Sequence, residues 1–60
     1  MVSVKINTGG SAFRNEEETL DTYEIVRLLR QTAQKIENGY TDANIMDING
    51  NTVGRFEIGE

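Results

Sequence analysis

The sequence predicts one small α+β domain, in which an amphipathic helix packs on one face of a three-stranded sheet in the order β-α-β-β. Three observations support this fold class. Val2, Val4 and Ile6 alternate with polar residues, as in a strand with one buried face. Residues 21–38 carry apolar side chains at helical spacing. Residues 47–51, DINGN, are typical of a hairpin turn, because Asn and Gly tolerate positive φ angles.

The predicted first strand, residues 2–7, is followed by a connection over residues 8–20 that is long for so small a domain. Phe13 is the apolar side chain expected to anchor this loop. Glu16, Glu17 and Glu18 form an acidic run that precedes the positive, N-terminal end of the helix dipole.

The predicted helix covers residues 21–38 and has signals at both ends. Asp21 and Glu24 have the spacing of a capping box, in which each side chain accepts a hydrogen bond from a backbone N–H in the first turn. Gly39 is suited to the left-handed conformation of a C-terminal cap. The stripe expected to face the sheet consists of Ile25, Val26, Leu28, Leu29, Thr32, Ala33 and Ile36.

The second and third strands are predicted at residues 43–47 and 52–58, joined by a turn at 48–51. The helix reverses the chain and the hairpin reverses it again, so the third strand is expected in the middle, in the order 1-3-2. We interpret the turn as type I with Gly50 in the bulge position, with a two-residue Asn49-Gly50 turn as the alternative. The strand residues expected to face the helix are Val2, Val4, Ile6, Met46, Phe56 and Ile58.

Ile45 and Val53 have the opposite parity to Met46 and Phe56, which places apolar residues on both faces of the predicted sheet. Two interpretations are open. A bulge rotates one of these residues inward, or a homodimer buries the second face or pairs two edge strands. We favour the homodimer, with Ile45 and Val53 at its interface.

Composition narrows the classes of function. The chain has 60 residues, 6 basic and 10 acidic, with a net charge of −4. Such a short chain is marginal alone, so oligomerisation is expected to contribute to its stability. The acidic balance argues against direct nucleic-acid binding. No stretch approaches the ~20 apolar residues of a membrane span, and no signal peptide is apparent, so we expect no membrane association and a cytoplasmic location.

Catalysis, metal binding and cofactor binding are not expected. The chain has no His and no Cys, the usual sources of bases and nucleophiles. Asp42 and Asp47 beside the second strand are explained as turn-forming residues. Residues 47–51 lack the spaced acidic ligands of a calcium loop. Gly9-Gly10 lacks the Lys-Ser/Thr pair of a phosphate-binding loop.

Tyr23, Arg27, Arg30 and Gln34 share the helix face opposite the apolar stripe. Tyrosine and arginine are the residue types that anchor protein interfaces, so these four, together with Glu16, Glu17 and Glu18, are the predicted partner-binding residues. The alternative is a solvated face in which Arg27 pairs with Glu24. A third interpretation is an oligomer that holds a small anionic ligand, such as a nucleotide signal, between Arg27 and Arg30.

A series of short motifs spans almost the whole chain. They are Lys5-Ile6-Asn7-Thr8, Ala12-Phe13, residues 25–30 (IVRLLR), Ala33, residues 35–39 (KIENG), residues 47–51 (DINGN), Val53-Gly54 and Phe56-Glu57-Ile58. This pattern resembles small proteins encoded by bacteriophages and prophages, and DINGN-x-VG is its most specific part. The chain departs from their usual form at Gly9-Gly10 and at Glu16 to Glu18.

The resemblance implies a phage source. Small acidic accessory proteins of that class commonly bind and inhibit a host protein, often a defence component, inside the bacterial cell. A structural or regulatory subunit of a phage complex is the other role that this source implies.

Overall fold

The computed structural model describes residues 1–59. In chain order it contains β1 (Val2–Ile6), a short 3-10 turn (Ser11–Phe13), α1 (Thr22–Glu37), β2 (Asp42–Met46) and β3 (Thr52–Ile58). β3 lies between β1 and β2 and is antiparallel to both. The predicted α+β class and the strand order 1-3-2 are therefore confirmed.

The ends of α1 show why the helix begins and ends where it does. Asp21 is the N-cap, and its carboxylate accepts from the Tyr23 N–H at 3.0 Å. The other half of the predicted capping box is wrong, because the Asp21 N–H donates to the Phe13 carbonyl at 2.7 Å and not to Glu24. At the other end Gly39 has φ +95°, the left-handed conformation that glycine adopts without strain.

The core consists of four side chains, one each from the long loop, α1, β2 and β3. Phe13 from the long loop and Phe56 from β3 are 0% exposed, Leu28 from α1 is 1% exposed and Ile45 from β2 is 4% exposed. Because Phe13 fills the space beside α1, the long connection is packed down rather than free. The residues that surround this core and are half-buried are Ile6, Ala12, Ile25, Ile36, Ala43 and Val53.

The register of the hairpin decides which residues face the helix. Ile45 lies opposite Gly54, but Met46 lies opposite Thr52, so Val53 is an extra residue in β3 and forms a bulge. Directly paired residues share a face, and Ala43 lies opposite Phe56; Ile45, two residues on, is therefore on the helix side with Phe56.

Two predictions about the sheet are corrected by this bulge. Ile45 is in the core and Val53 packs against it, so these residues cannot line an interface on the opposite face. Met46, predicted to face the helix, is 51% exposed instead. The bulge is therefore the correct interpretation of the parity conflict, and the prediction that Ile45 and Val53 line a dimer interface on the second face is wrong.

The face of the sheet away from α1 is polar. Arg55 lies at its centre and donates to Asn44 at 3.0 Å and to Glu57 at 3.1 Å. Its guanidinium is also 3.3 Å from the Asp42 carboxylate. These groups are solvent-exposed, so each pair contributes little to stability. Because these side chains are polar, this face of the sheet can remain exposed to solvent.

The hairpin turn adopts the predicted type I form with a glycine bulge. The Gly50 N–H donates to the Asp47 carbonyl at 3.0 Å, and the Asp47 N–H donates to the Asn51 carbonyl at 2.9 Å. Gly50 has φ +83°, which a residue with a Cβ adopts only under strain.

Among the glycines of the chain, Gly54 has the least space for a side chain. A Cβ placed there would lie 1.9 Å from the Lys5 carbonyl oxygen of the neighbouring strand. We predict that Gly54→Ala lowers the free energy of unfolding by about 2–3 kcal/mol, because β1 must move to relieve the overlap. Urea denaturation followed by circular dichroism measures this change.

The matched control is Gly10→Ala, since a Cβ at Gly10 meets no atom within 4 Å. That substitution is expected to leave stability almost unchanged. Equal unfolding midpoints for Gly54→Ala and the unaltered protein would contradict the strand packing described here.

Candidate functional site

A buried carboxylate joins the start of α1 to the hairpin turn. Glu24 is 7% exposed, and it accepts hydrogen bonds from the Ile48 backbone N–H at 3.0 Å and from Arg27. The Arg27 Nε and one terminal guanidinium nitrogen lie 2.6 and 2.9 Å from its two oxygens. This is a bidentate pair, the strongest form of a carboxylate–guanidinium contact. It fixes α1 against the β2–β3 turn.

The turn that receives Glu24 is itself held rigid by Asp47. Its carboxylate is 7% exposed and accepts from the N–H groups of Asn49 and Asn51, both at 2.9 Å. These bonds satisfy the turn amides that no strand partner reaches. The Ile48 N–H remains, and Glu24 accepts from it. Asp47 and Glu24 together therefore accept hydrogen bonds from the backbone N–H groups of Ile48, Asn49 and Asn51.

The ionisation of both partners reflects this arrangement. The hydrogen bond from Arg27 holds the pKa of Glu24 below its usual value of 4.5, against the opposing effect of desolvation, and the Ile48 N–H lowers this pKa further. In turn, the Glu24 carboxylate raises the pKa of Arg27 above its usual range. Both groups are charged at neutral pH, and each compensates the other.

Arg27 is therefore occupied by a structural role. The interpretation in which Arg27 pairs with Glu24 describes this residue correctly, and its guanidinium is only partly available to a partner, with a side chain 35% exposed. Within residues 1–59, Arg30 takes part in no ion pair. Of the two arginines predicted to bind a partner, Arg30 is the one with an uncommitted charge.

A shallow cleft of about 440 Å³ lies on the outer side of α1. Its walls are the side chains of Tyr23, Val26, Arg27 and Arg30. Three of these are predicted partner-binding residues, so the structure brings them together on one surface. Tyr23 is 85% exposed, an unusually high exposure for an aromatic side chain. Gln34 is exposed on the same helix but does not line the cleft.

The predicted apolar stripe of α1 is only half used by the core. Leu28 and Thr32 are buried and Ile25 and Ile36 pack beside them, as expected. The remaining members, spaced at three and four residues along one edge of the helix, are exposed; they are Val26, Leu29 and Ala33. Val26 is 44% and Leu29 46% exposed. This open edge lies beside Tyr23 and Arg30, although the spacing of its apolar residues predicted that it would face the sheet.

The predicted acidic segment is displayed at the tip of a tight turn. The Asn15 side chain accepts from the N–H groups of Glu17 and Thr19 at 2.9 and 3.1 Å and so closes the loop. Glu18 has φ +59°, an uncommon conformation for a residue with a Cβ. Glu16, Glu17 and Glu18 are exposed, but none of them lines the α1 cleft.

The described residues contain no grouping of three or more acidic, His or Cys side chains that could hold a metal ion. Among the same residues, no helix has both the length and the apolar character needed to cross a bilayer. Comparisons of the chain with protein-family models, with curated proteins and with solved structures found no match.

The Glu24 junction makes a prediction about pH. Glu24→Gln is expected to lower the free energy of unfolding by about 1–3 kcal/mol at pH 7, because a buried charge-assisted pair is lost. Since the pKa of Glu24 is lowered by folding, this contribution is complete above pH 4.5 and declines as pH falls through the folded-state pKa. Denaturant titrations of both proteins between neutral and acidic pH measure the difference.

Glu57→Gln serves as the control, because Glu57 makes an exposed contact to Arg55. It is expected to change stability by less than about 0.5 kcal/mol. A stability difference between Glu24→Gln and the unaltered protein that stays constant down to acidic pH would contradict the proposed ionised pair.

Proposed function

We propose that this protein is a non-enzymatic binding protein that engages another protein through the outer face of α1. The surface comprises Tyr23, Val26, Leu29 and Arg30, and is called the α1 face below. The observation that carries the proposal is the exposure of Tyr23, Val26 and Leu29, at 85%, 44% and 46%, on one side of a helix.

The α1 face has the composition of an interface centre. Tyrosine and arginine dominate the residues whose truncation weakens protein complexes, and apolar neighbours exclude water around them. An exposed i, i+3, i+4, i+7 arrangement is the pattern by which one helix docks in a groove of a partner. Tyr23, Val26 and Arg30 have this spacing, and Leu29 extends the apolar part.

The arrangement favours a protein partner over a small anionic ligand. Ligand sites typically bury most of the ligand between several elements. The cleft beside Tyr23 is walled by one helix alone, and Arg27 already neutralises Glu24. Arg30 lies on an open surface and takes part in no ion pair within residues 1–59. One such guanidinium suits a carboxylate at the edge of a protein interface better than a phosphate-bearing ligand.

The class of partner follows from the resemblance to small phage-encoded proteins. We propose a bacterial host protein, such as a component of a defence system, that is inhibited when this protein covers its functional surface. The exposed acidic turn at Glu16 to Glu18 supports this proposal by adding a second, negatively charged contact that suits a partner with a basic surface.

The test begins with capture of partners from host lysate and their identification by mass spectrometry. The purified partner is then titrated with Tyr23→Ala and Arg30→Glu. We expect each substitution to weaken binding at least about tenfold, the loss typical of an interface anchor, while circular dichroism shows an unchanged fold. Arg27→Glu is not suitable for this purpose because it also disrupts the Glu24 pair.

Gln31→Ala is the matched control, because it truncates an exposed side chain of α1 that does not line the cleft. It is expected to bind the partner as the unaltered protein does. If Tyr23→Ala and Arg30→Glu bind with unchanged affinity, the α1 face is not the binding surface.

The acidic turn is tested separately. Replacing Glu16, Glu17 and Glu18 by Lys together is expected to slow association and to make the partner's binding less sensitive to salt, because long-range attraction is removed. Surface plasmon resonance at several salt concentrations measures both effects. Association rates that do not change would remove these residues from the proposed surface.

A further inference from the structure

The outer edge of β1 has a row of backbone groups without a partner. The strand pairs with β3 so that Met1 exchanges hydrogen bonds with Gly59, both at 2.8 Å, and the Asn7 N–H donates to the Val53 carbonyl at 2.7 Å. In an antiparallel ladder hydrogen-bonded pairs alternate with non-bonded ones. The bonded positions of β1 are therefore odd-numbered, and the even-numbered residues direct their backbone groups away from β3.

The even-numbered residues of β1 are Val2, Val4 and Ile6, and β1 is an edge strand. Within residues 1–59, no hydrogen bond reaches the outward N–H and C=O groups of these three residues. An edge of this kind is a template for another strand.

The same residues also leave apolar side chains uncovered. Val4 lies opposite Phe56 in the register, so Val2, Val4 and Ile6 point to the face that carries α1. Phe56 is fully buried there, yet Val2 is 61% and Val4 39% exposed. α1 and Phe13 cover β2 and β3 but leave the β1 margin of this face open.

We propose that the β1 edge binds a second copy of this chain, with the two β1 strands antiparallel about a two-fold axis. In this register Val4 lies opposite Val4 of the second copy, and Val2 lies opposite its Ile6. All three outward-facing residues then exchange backbone hydrogen bonds across the axis. The result is a continuous six-stranded sheet in which each copy contributes the same surface.

Side-chain chemistry fits this register. On the α1 side, Val2, Val4 and Ile6 of both copies form a cross-strand apolar ladder of β-branched residues. On the other side, Ser3 lies opposite Lys5 of the second copy, so no two like charges face each other directly. Apolar residues thus face apolar residues and no like charges are directly opposed, which favours a second copy over an unrelated strand.

The β2 edge does not offer the same surface. The Ile58 N–H donates to the Thr41 carbonyl at 2.8 Å, so by the same alternation Asp42, Asn44 and Met46 direct their backbone groups outward. The helix-side residues of β2, Ala43 and Ile45, already pack in the core. Asp42 and Asn44 interact with Arg55. Pairing at β2 would therefore bury little new apolar surface.

A two-fold axis perpendicular to the sheet keeps both helices on the same side. The dimer would present two α1 faces, one from each copy. The α1 face contains no residue of β1. The dimer is therefore independent of the proposed function, and either can fail without the other.

Sedimentation equilibrium from micromolar to millimolar concentration tests the inference. We expect the mass to rise from that of one chain, 6.7 kDa, to twice that value. Val4→Lys places two ammonium groups opposite each other at the axis and is expected to raise the dissociation constant at least tenfold. Met46→Lys makes the same kind of change at an exposed residue of β2 and is expected to leave the dimer intact.

Amide hydrogen exchange of the unaltered protein provides a measurement that does not depend on any variant folding. The N–H groups of Val2, Val4 and Ile6 are expected to become protected as concentration rises, whereas those of Ser3 and Lys5 are protected at every concentration. A protein that remains monomeric throughout, exchange at Val4 that is independent of concentration, or equal dissociation by Met46→Lys would overturn the inference.

Discussion

The hydrogen bonds of the Glu24 carboxylate determine how the helix and the hairpin fit together. This group is buried between α1 and the β2–β3 turn, where it accepts from the Ile48 N–H and from Arg27. A buried carboxylate is costly unless its oxygens are paired, and here both are. Because only four apolar side chains are buried among the described residues, a specific polar link is a large part of what fixes the orientation of α1.

The same link determines which side chains of the helix have a structural role and which are exposed to solvent. Because Glu24 and Leu28 are turned inward, the apolar residues Val26 and Leu29 lie at the open edge of the helix. Arg27 is drawn to Glu24, whereas Arg30 takes part in no ion pair within residues 1–59. The exposure of these apolar side chains, on which the proposed function rests, thus follows from the packing of a charged residue 24 positions before the turn residue that it contacts.

Local signals in the sequence predicted the elements well. Asp21 and Gly39 mark the ends of α1, and Gly50 forms the turn that its neighbours indicated. The topology followed because a helix and a hairpin each reverse the chain. Phe13 was identifiable as a loop anchor because it is the one aromatic residue in a long, mostly polar connection.

Local patterns in the sequence did not predict two features of the structure. Spacing shows that Glu24 can reach the start of its own helix, but it cannot show that the Phe13 carbonyl takes the Asp21 N–H and that Ile48 offers another donor. The faces of the hairpin also depend on one bulged residue, Val53. Ile45, Met46 and Val53 are all apolar, so hydrophobic pattern alone did not decide which of them faces the core. That decision removed Ile45 and Val53 from the predicted dimer interface.

The backbone amide of Ile48 reports most directly on whether Glu24 links the helix to the turn. Its hydrogen exchange and chemical shift can be followed by NMR in the unaltered protein and in Glu24→Ala. The proposed link requires a protected Ile48 amide whose shift titrates with a midpoint below pH 4.5 and whose protection disappears in Glu24→Ala, while the Asn49 amide bonded to Asp47 stays protected. An Ile48 amide that exchanges freely in the unaltered protein, or that is equally protected without Glu24, would contradict it.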